Sequence, residues 1–186
     1  MVERIKTIIK PITFIFALSF FICCVIKTPI TIGDIVDYTS YSTAFVSILF
    51  IVYVNFLWRF IPWNRPPVLK SKYEGRIYYV FKKKPEIKNI FITIRQTWLS
   101  IEVETKTDIN ESYTVTGSIV SEHGKKVLYY TYVTNPNAAN LKNNPIQYGT
   151  CRMILNEENK KLSGKYWTTS KTTGDIEWEE MIEDKQ

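Results

Sequence analysis

The residues best suited to chemistry in this chain alternate along two short stretches. In Leu128-Tyr129-Tyr130-Thr131-Tyr132-Val133-Thr134-Asn135 a strand places Tyr130, Tyr132 and Thr134 on one face and Tyr129, Thr131 and Val133 on the other. In Tyr166-Trp167-Thr168-Thr169-Ser170-Lys171 the same alternation groups Tyr166, Thr168 and Ser170. Aromatic rings stack on nucleobases, hydroxyls donate and accept hydrogen bonds, and guanidinium groups fork onto phosphate oxygens. With Arg76, Arg95, Arg152 and Lys171 nearby, such faces would suit a phosphorylated ligand that carries bases. Strand-rich domains also use aromatics and threonine simply to pack, and the residues by themselves favour that second reading.

Catalysis lacks a constellation. The single histidine, His123, lies in the turn Ser121-Glu122-His123-Gly124. No nucleophile elbow, phosphate loop or metal-ligand spacing occurs, and the acid pairs Glu157-Glu158 and Glu179-Glu180 read as solvated. The expectation is a protein that is not an enzyme and needs no cofactor. Cys23, Cys24 and Cys151 define neither a disulfide framework nor a metal site.

The elements that must position these residues come in two kinds. Apolar runs from about Ile8 to Ile26 and from about Tyr41 to Ile61 each approach the ~20 residues an α-helix needs to cross a bilayer. No small-x-small cleavage site follows the first run, and Ile22 stands where a lipoprotein signal has a small residue, so both runs read as anchors. Arg4, Lys6 and Lys10 precede the first helix, and Arg59, Arg65, Lys70 and Lys72 follow the second. The connection, roughly Lys27 to Ser40, carries Asp34 and Asp37, so both termini are expected in the cytoplasm. Ser47 and Asn55 are expected at helix–helix contacts. Pro62, Pro66 and Pro67 end the helix.

After the prolines the period becomes two. Strands are expected near Tyr73–Phe81, Asn89–Ile94, Trp98–Thr105, Ser112–Val120, Lys126–Val133, Gln147–Leu155, Leu162–Ser170 and Asp175–Met181. Eight strands joined by short links remove their edges most easily by closing, which predicts a membrane-anchored all-β protein: two transmembrane helices (residues 1–65), then a roughly eight-stranded antiparallel β-barrel (66–186). An immunoglobulin-like sandwich is the other option, without its Cys…Trp…Cys pattern. The Asn- and Pro-rich stretch Asn135–Pro145 reads as a long loop, either a lid or contact segment or a plain solvated connection. Net charge is +6, of which +3 lies in the first 65 residues. The remaining +3 is too weak a field for a nucleic-acid binder, and neither DNA nor RNA is expected as partner.

The whole chain resembles a family. The order of two membrane helices, a proline-marked exit and a strand-rich domain is one part of the likeness. The others are Gln96-Thr97-Trp98-Leu99-Ser100-Ile101, Leu128-x-Tyr130-x-Tyr132-x-x-Asn135-x-Asn137, Tyr148-Gly149-Thr150, and Leu162-x-Gly164-x-Tyr166-Trp167-Thr168 with Lys171-Thr172-x-Gly174. Together they look like the two-transmembrane, strand-rich effectors of CBASS, the bacterial cyclic-oligonucleotide anti-phage system. The resemblance implies a cytoplasmic barrel at the inner membrane that senses a cyclic dinucleotide as its activating ligand. Binding would drive self-association, and the clustered helices would disrupt the bilayer and kill the cell. It also makes Trp98, Tyr130, Tyr132, Asn135, Tyr166, Thr168 and Lys171 candidate ligand contacts. Arg152 or Arg76 is the alternative phosphate contact, because lysine lacks the bidentate fork. Two rival readings are a membrane-anchored, lipocalin-like carrier of an apolar ligand and a scaffold for a protein partner.

Overall fold

A computed structural model describes residues 2–26, 31–61, 66–81, 84–108, 110–136, 145–156 and 158–181. The linker positions 62–65 and most of the Asn-rich stretch, 137–144, lie outside the described residues. The chain divides into two units. One comprises residues 1–65 with Thr97–Leu99, and the other comprises Pro66–Gln96 with 100–186.

The first unit holds helix α1 (Val2–Ile26), helix α2 (Ile32–Asn55) and a single 3-10 turn (Leu57–Arg59). Both long helices have the length and apolar composition to cross a membrane. Side chains such as Phe14, Phe21, Ile48 and Ile51 stand exposed on them, as lipid-facing groups would. Helix α2 starts nine residues before the apolar run does. Thr31 and Asp34 form a capping box, with the Asp34 carboxylate accepting from the Thr31 backbone N–H at 2.8 Å. That box satisfies the first free amides and pulls Asp34 and Asp37 out of the expected loop into the helix. The α2 end also moves, to Asn55.

The polar side chains of α2 answer to their own helix. Ser47 donates to the Thr43 carbonyl at 2.8 Å, Asn55 to Ile51 at 2.9 Å, and Thr43 to Thr39 at 2.7 Å. An i−4 bond of this kind removes the cost of an unpaired polar group in hydrocarbon. The helix contacts expected of Ser47 and Asn55 are therefore not needed to satisfy them.

The second unit is a closed barrel of eight antiparallel strands in sequence order. They are β1 (Lys72–Phe81), β2 (Lys84–Gln96), β3 (Ile101–Lys106), β4 (Asn110–Glu122), β5 (Lys125–Pro136), β6 (Gln147–Leu155), β7 (Lys161–Thr168) and β8 (Thr173–Glu180). Strand β1 pairs with both β2 and β8, so no edge is left unpaired. Strand β5 runs on to Pro136, so Asn135 and Pro136 pair in the ladder rather than belonging to the expected loop, and two other strands also depart from expectation. Strand β2 starts five residues early and runs through Pro85, which pairs with Val80 near the strand end, where a missing N–H costs least. Strand β3 starts at Ile101 rather than Trp98, because Thr97–Leu99 turns away into the helical unit. His123 and Gly124, both at positive φ, make the two-residue hairpin turn between Glu122 and Lys125.

Strict alternation fills one end of the barrel with apolar side chains. Tyr73, Ile90, Ile92, Val103, Leu128, Met153, Leu162 and Trp178 are each almost fully buried there. The same end is sealed by residues 66–70. The Leu69 N–H donates to the Gln96 side-chain carbonyl, and the Gln96 amide donates back to the Pro67 carbonyl, both at 2.9 Å. The Tyr73 hydroxyl accepts from the Lys70 N–H and donates to the Asn159 carbonyl at 2.6 Å. Packing and hydrogen bonds thus close this end, and the described residues leave the opposite end open.

Candidate functional site

The inward faces change character toward the open end. There a cavity of about 440 Å³ is lined by Tyr130, Tyr132 and Tyr166 with Cys151 beneath, and by Thr105, Thr107, Asn110, Ser112, Thr134, Gln147, Thr168 and Thr172 around it. Lys88 and Glu86 of β2 complete the wall. The volume falls in the ~300–1,000 Å³ range of small-ligand sites.

Each lining residue is placed by strand parity. Ile90 faces the core, so Lys88 and Glu86, two and four residues earlier on β2, face the same interior near the mouth. Tyr130, Tyr132 and Thr134 follow Leu128 inward on β5, and Tyr166 and Thr168 follow Leu162 on β7. Two glycines let the rings lie flat. A Cβ at Gly149, directly across from Tyr132, would run into that ring, and one at Gly174 would stand 2.7 Å from Cε1 of Tyr166. Tyr130 lies 5.7 Å from Tyr132 and 5.9 Å from Trp178, centroid to centroid, so the aromatic floor is continuous with the core.

Burial governs the titration of these groups. It pushes Tyr166 up to about 12 and Tyr130 and Tyr132 further, so all three remain neutral phenols at physiological pH. The Cys151 thiol is likewise pushed up to about 12 and stays protonated. Burial lowers Lys88 from the usual lysine value, while Asp108 and Glu86 pull it back up. Several polar groups are committed to each other: Ser112 with Thr134 at 3.1 Å, Thr168 with Thr172 at 2.6 Å, and Tyr79 donating to Glu86 at 2.8 Å. What remains is a hydroxyl-rich, ring-floored cavity with Lys88 and the Glu86 carboxylate in its wall beside Ile77, Val80 and Ile176. Such a surface can stack on a flat ring and hold an anion, which is recognition chemistry.

Of the eight residues singled out from sequence, Tyr130, Tyr132, Tyr166 and Thr168 meet in this cavity. The other four stand elsewhere. Trp98 is buried in the helical unit, where its backbone N–H donates to the Val54 carbonyl at 3.0 Å and its ring meets Tyr53 edge-on at 5.7 Å. Asn135 is exposed opposite Glu111, with odd parity relative to Thr134. Lys171 is exposed at positive φ in the turn between β7 and β8. Arg152 follows the inward Cys151 and so faces outward, where it donates to Glu122 at 2.6 Å and to the Tyr129 hydroxyl at 2.9 Å. Those bonds, Glu122 first, raise its pKa and hold the guanidinium on the outer wall. Arg76 and Arg95 are also exposed outside, Arg95 beside Glu104. Replacing Arg152 by alanine is therefore expected to leave ligand affinity within about twofold of wild type, as surface substitutions generally do. A titration calorimetry comparison checks this, and a large loss would move the site to the outer wall.

Sequence reasoning missed Lys88 and Gln147. Parity alone could have found Lys88, counted back from Ile90 and Ile92. Reading β2 as starting at Asn89 cut it off.

Residues 65–180 match the family described as "Cap15, cyclic dinucleotide receptor domain". The match spans the whole barrel. The chain is also 38% identical over 181 residues to CD-NTase-associated protein 15 of Staphylococcus schleiferi, covering 95% of this chain and 97% of that protein. With two membrane-length helices ahead of an eight-stranded barrel whose open end is ringed and hydroxyl-lined, the chain belongs to the Cap15 family of CBASS-associated proteins with a cyclic dinucleotide receptor domain.

Proposed function

We propose that the open-ended cavity holds a cyclic dinucleotide, and that this ligand switches the chain from a dispersed to a self-associated form at the bacterial inner membrane. The observation that carries the reading is the cavity itself, in a barrel of the receptor family, where Tyr130, Tyr132, Tyr166 and Lys88 face a common space. Tyr132 and Tyr166 stack on the bases. Lys88 holds one phosphate, and the Thr105 hydroxyl serves the backbone of the ligand, the Thr107 hydroxyl being bonded to Asn110. The lipocalin-like alternative fits less well, because an apolar ligand would offer no partner to Lys88 and Glu86 in the wall.

A ligand shifts an equilibrium only through unequal affinity for its states. The associated form must therefore bind the dinucleotide better. Arg4, Lys6 and Lys10, which fall within the first turns of α1 rather than before it, and the basic residues after α2 favour both termini and the barrel in the cytoplasm, where a nucleotidyltransferase product would reach the open end. Association then gathers α1 and α2 in the bilayer, disrupts it and ends the infection by killing the cell. In this role the protein acts as a receptor and effector without an enzymatic step.

The test is calorimetry of the full chain in detergent against cyclic di- and trinucleotides, paired with dye release from liposomes containing the chain. One ligand is expected to bind and to trigger release. Tyr132→Ala and Tyr166→Ala are each expected to weaken binding by about 10-fold or more, since one base–aromatic stack is worth ~1–3 kcal/mol. Absence of binding across the panel would sink the receptor reading. Binding without release would sink the membrane step alone.

A further inference from the structure

Among the described residues, Gln147 is the amide in the cavity wall whose side-chain carbonyl is buried with no donor. Its Oε1 has no partner among them, and no side-chain hydrogen bond joins Gln147 to any described residue. The hydroxyls around it are engaged already: Thr134, directly across from Gln147 on β5, is bonded to Ser112, and Thr168 to Thr172. A buried acceptor left unpaired costs stability, and rotating the amide by half a turn would only exchange an orphan acceptor for an orphan donor. Such a group points to a partner that arrives with the ligand, met when the amide turns its buried oxygen toward the cavity.

Its position says which part of the ligand that is. Gln147 sits one inward position before Gly149 on β6, and Gly149 is the residue that Tyr132 lies across. Successive inward positions are ~7 Å apart. A ring stacked on Tyr132 therefore brings its edge, rather than its face, to the amide. Lys88, on β2, is the cation available for phosphate, so the amide is left for the base.

We propose that Gln147 reads the base: its amide accepts from an N–H and donates to the adjacent acceptor on the hydrogen-bonding edge of a nucleobase stacked on Tyr132. The assignment rests on the cyclic dinucleotide reading above and adds the group that makes the cavity selective among bases. A site built to pair a polar edge rejects a base that leaves its amide unpaired far more strongly than a merely apolar site does.

The experiment measures dissociation constants of the full chain in detergent for cyclic di-AMP, cyclic di-GMP, cyclic di-UMP and cyclic di-CMP, with wild type, Gln147→Leu and Gln147→Glu. Thermal melts of the three without ligand report on folding. Gln147→Leu is expected to weaken the preferred ligand by about 10-fold and the others less, which compresses the spread of affinities. Gln147→Glu, an acceptor-only edge, is expected to shift preference toward guanine, which offers two adjacent N–H donors. A purely structural role would weaken every ligand alike. Equal losses across the four ligands, or an unchanged order of preference in Gln147→Glu, would overturn the assignment and leave the receptor reading standing. A wild-type chain that binds none of the four, nor any cyclic trinucleotide, overturns both.

Discussion

Replacing Lys88 by methionine is expected to weaken cyclic dinucleotide binding by about 100-fold and, in the same variant, to raise the melting temperature of the empty chain. The two effects share one cause. Lys88 stands half-buried in the cavity wall, and burial lowers its pKa from the ordinary 10.5, with Asp108 and Glu86 only partly compensating. A lowered lysine pKa means that the folded chain holds this proton less tightly than the unfolded one. The charged form therefore destabilises the fold at neutral pH, and the penalty is relieved as pH rises through the lowered pKa toward 10.5. Methionine keeps the stem and removes the charge, so stability rises. A bound phosphate reverses the balance, because a charge-assisted hydrogen bond contributes ~1.5–3 kcal/mol. Loss of that bond sets the 100-fold. Affinity of the wild type should likewise fall as pH rises past the Lys88 pKa, and Lys88→Met should lose that slope. If Lys88→Met binds as wild type does, the phosphate lies elsewhere in the barrel.

Gly164→Ala is expected to destabilise the barrel by about 3 kcal/mol, near the upper end for overpacking, and to lower its melting temperature by roughly 10 °C. Gly164 faces inward on β7, opposite Met153 and beside Ile176. A Cβ there would overlap the Arg152 carbonyl oxygen and stand 2.8 Å from Cα of Met153. Both obstacles are backbone, so no rotamer change clears them, and β6 and β7 would have to part. The neighbouring Ser163→Ala, on the outer face, is the control and should change little. Circular dichroism melts of the two variants decide it. A Gly164→Ala barrel as stable as wild type would mean that β6 and β7 can part by the needed distance without loss of packing.

Much of the architecture was legible in the chain. Membrane-length apolar runs, short alternating strands and hairpin turns lead to two helices and eight antiparallel strands, and the family match accords with the resemblance carried by the Tyr130–Asn135 and Leu162–Gly174 segments. Element boundaries were less legible. Thr31 and Asp34 cap a helix that the apolar pattern alone starts too late, because capping is a matter of two polar side chains rather than of hydropathy. Strand β2 likewise runs through Pro85, which sits where the ladder can spare an N–H.

The site shows the same division more sharply. Alternation by itself determined that Tyr130, Tyr132 and Thr134 share a face, and that Tyr166 and Thr168 share another, since parity is a property of any strand. Which parity points inward was decided only when eight strands closed. Closure sends the even residues of β5, β7 and β2 to one interior, and it sends Arg152 and Asn135 to solvent. The end that stays open is also a tertiary matter. Residues 66–70 seal one mouth through Gln96 and Tyr73, bonds between groups up to 29 positions apart that no local pattern announces. Lys88 and Gln147 acquire their meaning from that enclosure, because a lysine or an amide is ordinary in water and becomes a demand for a partner once the barrel has taken the water away.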